Sequence, residues 1–242
     1  MRRSTAQLAS VAMPARLVDL SHIVEDGMVT YQGLPAPVVS DFLTREASRQ
    51  RYASGTEFHI GRIDLVANTG TYVDSPFHRF ANGADLAELP LESLVDLPAV
   101  VVRVTGAIDR AIDVEPFLAH QVRGKAVLIH TGWASWWRTP QYFEDHPHLT
   151  AAAAAFLVEK GAALVGIDSY NIDSTDTGER PAHTALLAAG IPIVEHLRGL
   201  EQLPTNGARF TAVPVKVKRM GTFPVRAFAS LPAEDAGVPL AR

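Results

Sequence analysis

The chain has 242 residues, of which 47% are apolar and 20% charged, with a formal net charge of −4 and no cysteine. That length suits one large domain or two small ones with a substantial core. The charge excludes the basic footprint of a nucleic-acid binder, and the missing thiols exclude disulfides, thiolate metal sites and a cysteine nucleophile. Any metal must therefore be held by His, Asp, Glu or neutral oxygens. No apolar run has the length of a membrane-spanning helix.

The opening MRRSTAQLASVAMPAR is basic and too polar for the apolar region of a secretory signal. Residues 1–16 are expected to form a flexible tail of a cytoplasmic protein, with a single α/β domain over 17–242. The segment His59–Ser75, HIGRIDLVANTGTYVDS, reads as one long extended run. Ala99–Val104 is a β-branched strand, VEPFLAHQV is helical up to Gly124, and Ala126–Thr131 is another strand. Thr150 is an N-cap for a helix starting at Ala151 and stopping at Gly161. ALVGID follows as a buried strand ending in Asp168; Pro181–Gly190 is a short helix and Ile191–Glu195 the next strand. Lys216–Arg219, KVKR, reads as a solvated strand edge. Strands alternating with helices imply an α/β fold. The β-rich N-terminal quarter and Ala208–Phe228 imply a mixed sheet rather than a purely parallel one.

Within the extended run, Asn68, Tyr72 and Asp74 share parity and so one strand face. Gly70 leaves room between them, Pro76 ends the pairing and His78 follows, placed for an acid–base role beside a carboxylate. The competing reading is a turn, since Asn, Thr and Gly make turns and Asp before Ser-Pro bonds its own backbone. His183 and Glu195 lie in apolar surroundings downstream. His183 is either a satisfied histidine near a helix start or a ligand. Glu195 is either paired with an arginine such as Arg198 or faces a metal, because a buried unpaired carboxylate costs several kcal/mol. With Asp74 and His78 they compose an oxygen–nitrogen metal site with an adjacent base. The aromatic stretch His130–His148 carries Trp133, Trp136, Trp137, Tyr142 and Phe143, which suit a planar substrate, an interface or ordinary core; His146 and His148 are expected to face solvent.

These motifs resemble the cyclase family of metal-dependent hydrolases, which includes kynurenine formamidase-like arylformamidases and isatin hydrolases. The resemblance runs from about Leu17 to Phe228 and rests on LVDLSHIVEDGMVTYQG, NTGTYVDSPFH, VLIHTGW, GIDSYNID, HTALLAAGIPIVEHL and FTAVPVKVKRMGTFPVRAFA in that order. The family motif is His-x-Gly-Thr-His-x-Asp-x-Pro-x-His, in which the first two histidines and the aspartate bind metal and the last histidine is catalytic. Gly70, Thr71, Asp74, Pro76 and His78 match it, whereas Asn68 and Tyr72 replace the two leading histidines. His183 and Glu195, twelve residues apart, match the remaining ligands. The resemblance thus implies a swivelling β/β/α-type fold with a mixed sheet and flanking helices, a homodimer or higher oligomer, and one divalent metal, zinc or manganese, on Asp74, His183 and Glu195. It implies His78 as catalytic acid–base. Tyr72, whose hydroxyl suits a developing oxyanion better than ligation, is the expected hydrogen-bond donor there, and His22 and His59 are reserve ligands. The implied reaction is hydrolysis of an amide, formamide or lactam in a small aryl or cyclic metabolite, without nucleic-acid or membrane partners. The alternatives are a metal-free or altered chemistry (lactonase, dehydratase or cyclase) on the same fold, and a non-catalytic small-molecule binder with a degenerate site.

Overall fold

The computed structural model describes residues 16–106 and 109–232. The expected N-terminal tail falls outside the described residues, apart from Arg16. In chain order the elements are β1 (Arg16–Asp19), β2 (Val38–Leu43), α1 (Arg45–Ser48), β3 (Ile60–Asp64), β4 (Tyr72–Asp74), β5 (Leu97–Arg103), β6 (Ala111–Ile112) and β7 (Ala126–His130). They continue with β8 (His148–Leu149), α2 (Ala151–Lys160), β9 (Leu164–Ile167), α3 (Pro181–Ala188), β10 (Ile193–Glu195), β11 (Asn206–Thr211), β12 (Thr222–Pro224) and β13 (Phe228–Leu231). A nine-stranded sheet in the order β1-β13-β11-β5-β7-β9-β10-β4-β12 forms the body, and β2 pairs with β3 in a separate two-stranded arm. The run β5-β7-β9-β10 is parallel and the outer pairings are antiparallel. This is the mixed α/β architecture expected from the sequence.

The central strands are buried on both faces, which is why they read as unbroken apolar runs. Val100, Val102, Val127, Ile129, Val165 and Ile193 face the layer formed by α2 and α3. Ala99, Val101, Leu128, Leu164 and Val194 face the opposite core, where Phe210, Leu197 and Ala229 close the sheet. The α2 boundaries follow from local chemistry: Thr150 accepts from the Ala153 N–H at 3.0 Å, and Gly161 adopts φ +74° to end the helix. Among the described residues no helix is long and apolar enough to cross a membrane.

Three local expectations need correction. The run His59–Ser75 is not one extended segment, because β3 ends at Asp64 and β4 begins only at Tyr72. The chain bends there as it leaves the arm for the main sheet, with Gly70 at φ +66° and its N–H donated to Thr30 Oγ1 at 2.8 Å. The segment VEPFLAHQV forms only a 3-10 turn over Glu115–Phe117: Pro116 supplies no N–H, and Phe117 is drawn fully into the core. Lys216–Arg219 is not a strand edge. Arg219 takes φ +62° and donates its N–H to Asp85 Oδ2, which turns the chain instead.

Candidate metal centre

The site lies where β4 is paired between β10 and β12. In that register Tyr72 stands opposite Glu195, and Asp74 stands opposite both Ile193 and Thr222. Directly opposed residues share a face of the sheet, so Tyr72, Asp74, Glu195 and Thr222 all project toward the side covered by α3. Pro181 opens that helix, and His183 sits in its first turn above the strand pair. His78 belongs to a 3-10 turn, Pro76–His78, that follows β4 directly. Gly221 lies beneath it, where a Cβ would sit 2.5 Å from His78 Cα, so only glycine allows this approach.

A tight set of donors results. His183 Nε2 lies 3.7 Å from Asp74 Oδ2 and 3.8 Å from Glu195 Oε1. The other ring nitrogen, Nδ1, is 2.7 Å from Asp173 Oδ2, which also accepts the His183 backbone N–H at 3.0 Å. A carboxylate behind the ring fixes its orientation and turns Nε2 toward the cavity. Thr222 Oγ1 donates to Asp74 Oδ1 and lies 2.8 Å from His78 Nδ1. A hydroxyl has one hydrogen; with it given to Asp74, His78 Nδ1 is the donor to Thr222, and His78 Nε2 keeps its lone pair. Asp74 Oδ2 is buried without a hydrogen-bond partner among the described residues. Among the described residues Asp74, His78 and His183 bring ligand atoms within 4.8 Å of one another. A buried carboxylate oxygen left unpaired beside an oriented imidazole is what a divalent cation satisfies, so these residues fit a metal.

Electrostatics agree with that fit. Burial lowers the pKa of His183, but Glu195, Asp173 and Asp74 outweigh it and raise it to about 10. The ring is thus a cation among carboxylates until a metal replaces its proton. Burial raises Glu195 to about 7, against the pull of His183 and of the bonds from Tyr72 and Ile172. Burial and the neighbouring Glu195 push the Tyr72 phenol far above its ordinary value, so it is a neutral donor and not an anionic ligand.

The structure brings Asn68, Tyr72, His78, His183 and Glu195 to one cavity of about 300 Å³, with Asp74 at its base. Asn68 reaches it from the bend before β4 and not from a shared strand face. Tyr72 does not present a free hydroxyl to an oxyanion. Its hydrogen goes to Glu195 Oε2 at 2.6 Å, a shorter contact to a stronger acceptor than Tyr31 OH at 3.3 Å. Glu195 Oε1 accepts the Ile172 N–H at 2.6 Å, so its partners are a phenol and a backbone amide rather than Arg198. The five aromatic residues of the His130–His148 stretch do not line this cavity. Trp137 stacks on His22 at 4.0 Å, which takes His22 out of the ligand set, and His59 pairs with Asp41 on the arm. His146 is buried against Thr175 and does not face solvent. Sequence reasoning missed Thr222, Asp173, Tyr31 and Arg180. Asp173, Tyr31 and Thr222 each lie in a motif that carries the resemblance, whereas Arg180 had no signal.

Comparison with known proteins places this geometry in a family. The chain is 28% identical over 211 residues to a kynurenine formamidase of Bacillus cereus, covering 87% of this chain and 95% of the relative. It is also 28% identical to a kynurenine formamidase of Geobacillus thermodenitrificans over 74% of this chain and 84% of the relative. Its fold superimposes on isatin hydrolase A from Labrenzia aggregata with a TM-score of 0.77 at 23% identity, covering 90% of this chain and 94% of that one. A structure described as a potential metal-dependent hydrolase with cyclase activity matches with a TM-score of 0.73 at 25% identity, covering 90% and 98%. The sequence model of the family described as "Putative cyclase" matches residues 18–174, more than half of the chain, and the chain belongs to that family.

Proposed function

We propose that this protein is a metal-dependent hydrolase that opens an amide, formamide or lactam bond in a small aryl or cyclic substrate. The observation that carries the reading is Asp74 Oδ2, unpartnered among the described residues and 3.7 Å from the inward-turned Nε2 of His183 at the base of an open cavity. The similarity to kynurenine formamidases over most of the chain supports the bond type. Asp74, His183 and Glu195 would hold one zinc or manganese ion; zinc and manganese both accept imidazole and carboxylate together. When bound, such an ion polarises a carbonyl and acidifies water.

The chain's own residues supply the rest. His78, exposed to the cavity and held through Nδ1 by Thr222, offers Nε2 to take a proton from water and return it to the leaving amine. Thr222 ties that ring to Asp74, so base and ligand keep a fixed relation. Tyr72 holds Glu195 Oε2 and occupies the volume of a missing imidazole. Asp173 keeps His183 pointed inward. Self-association belongs to the same reading. The β2–β3 arm exposes Phe42, Phe58 and Ile63, apolar area that a second copy would cover.

Metal analysis and a turnover assay test the function. Purified protein incubated with zinc or manganese should hold about one equivalent. It should hydrolyse members of a panel of formanilides and lactams, and His78→Ala should lower turnover by about a hundredfold or more. Less than a tenth of an equivalent of metal, or unchanged turnover in His78→Ala, would overturn the reading.

A further inference from the structure

Two phenols and two side-chain amides line the Asp74 cavity: Tyr31, Tyr72, Asn68 and Asn171. Three of the four are committed to partners. Tyr72 gives its hydrogen to Glu195 Oε2 at 2.6 Å, and Tyr31 OH donates to the Tyr170 carbonyl at 3.0 Å. Asn171 Nδ2 donates to Tyr31 OH at 2.6 Å, while its Oδ1 accepts the Asp173 N–H at 2.9 Å. Asn68 differs. It is half-buried, and among the described residues no hydrogen bond engages its side chain. The charged donors of the wall stand further out, since Arg79 and Arg180 also line the groove outside α3. His78 offers an acceptor and His183 a ligand atom, so Asn68 is the uncommitted neutral donor of this wall. Its position is fixed as well, because the three residues that follow it are each pinned. Thr69 Oγ1 donates to the Val66 carbonyl at 2.6 Å, the Gly70 N–H to Thr30 Oγ1 at 2.8 Å, and Thr71 Oγ1 to the His196 carbonyl at 2.6 Å.

A neutral donor held on a rigid bend, with no partner to give up, is what a carbonyl oxygen gaining charge needs, because nothing has to reorganise as the charge develops. We infer that Asn68 is a substrate-touching catalytic residue whose Nδ2 donates to the oxygen of the scissile carbonyl. The contact forms with the bound amide and strengthens as water adds to the carbonyl carbon. In that step the water oxygen bonds to carbon, its proton passes to His78 Nε2, and the C=O π pair moves onto the oxygen that faces Asn68. When the pair returns, the C–N bond breaks and the leaving nitrogen takes the proton from His78. This assigns the amide at position 68 to the substrate and not to the metal. Its part in turnover rests on the hydrolase reading above; its contact with an aryl amide carbonyl does not.

Measurements on zinc-incubated protein separate those parts. The first compares turnover of formanilide and thioformanilide in wild type and Asn68→Ala. For formanilide kcat should fall by about a hundredfold, the scale of one donor to a developing oxyanion, and KM should rise by only about fivefold. For thioformanilide, whose sulfur is a weak acceptor, kcat should fall by no more than about threefold. The second is calorimetric titration of His78→Ala, with and without Asn68→Ala. Removing the amide should weaken formanilide by about fivefold, the scale of one neutral hydrogen bond, with no matching loss for thioformanilide. The third is zinc affinity, which Asn68→Ala should change by less than about threefold, because the side chain is not a ligand. If wild type turns over neither compound but binds formanilide through Asn68, the hydrolase reading fails and the carbonyl contact stands. Turnover that is unchanged in Asn68→Ala, or lost equally for oxygen and sulfur, overturns the assignment and leaves the hydrolase reading intact. A tenfold or greater loss of zinc affinity overturns it too, by making Asn68 a ligand. Neither turnover nor Asn68-dependent binding overturns both. Should Asn68→Ala not fold, Asn68→Leu, of similar shape and without polar atoms, gives the same readings.

Discussion

Two buried aspartates stand at strand ends in this protein, each beside an imidazole, and they do opposite things. Asp168 follows β9 and accepts from the Thr131 N–H at 2.7 Å, Thr131 Oγ1 at 2.6 Å and the Gly132 N–H at 2.9 Å, with His130 Nε2 at 4.0 Å. Burial raises its carboxyl pKa, and those donors oppose the shift. Asp74 has Thr222 on one oxygen and, among the described residues, no hydrogen-bond donor on the other. The first carboxylate is spent on holding the His130–Trp133 loop; the second keeps an unused lone pair at the base of a cavity. The cavity beside Asp168, about 480 Å³ and lined by His22 and Trp137, is the larger of the two, yet the three-ligand cluster forms at Asp74. Incomplete hydrogen bonding, and not burial or cavity size, distinguishes the candidate ligand Asp74 from Asp168.

The strongest way to break this comparison is to exchange the effects of the two residues. Asp74→Asn should weaken metal binding by at least about a hundredfold, since even outer partners of a ligand contribute ten- to a hundredfold. Asp168→Asn should leave metal stoichiometry unchanged, and plasma emission analysis of both proteins reads the difference. On stability the order reverses. Asp168→Ala strands three donors and should cost about 2–4 kcal/mol in denaturant unfolding, more than Asp74→Ala in metal-free protein. Equal losses would mean that both carboxylates are structural.

A second set of measurements sharpens the account of Asp74's surroundings. Tyr72→His combined with Asn68→His should raise bound metal from about one equivalent toward two, because each change supplies an imidazole where now a neutral oxygen stands. An unchanged stoichiometry would show that the Tyr72–Glu195 bond is not what limits the site. His183, raised to about 10 in the metal-free protein, is protonated at pH 8 and must lose that proton to ligate. Metal binding should therefore release about one proton at pH 8, and affinity should rise with pH up to that value. The dependence of calorimetric enthalpy on buffer ionisation measures it; no proton release would mean that His183 is not a ligand. The smallest effect is expected at Thr222. Thr222→Val should lower turnover by about tenfold through loss of one hydrogen bond to each partner, and Thr222→Ser should restore it.

Much of this was legible along the chain, and the reason differs by element. The parallel strands were visible because burial on both faces demands apolar runs such as AVVVRV and AVLIHT, a requirement that any tertiary arrangement of a two-layer core imposes. The α2 helix was visible because Thr150 and Gly161 end it by local hydrogen bonding and backbone conformation. The VEPFLAHQV segment misled because its apolar residues suit a helix, while Pro116 and the burial of Phe117 favour one turn. In the site, Asp74, His78, His183 and Glu195 were identifiable from residue type, spacing and family motif. Their partners were not. Thr222 lies 148 residues from Asp74, and nothing in FTAVPVKVKRMGTFPVRAFA marks its hydroxyl as the link to that carboxylate, while Arg180's exposure to the cavity depends on three carbonyls of its own loop.

The amino-acid sequence by itself determined the alternation of strands and helices, the absence of thiol chemistry and the candidate ligands, because periodicity, capping and side-chain chemistry are local properties. Only the tertiary structure decided which polar groups are satisfied. Hydrogen-bond saturation depends on atoms brought together from distant segments: it turned Asp168 into an anchor, gave Tyr72's hydrogen to Glu195, and left one oxygen of Asp74 open beside His183.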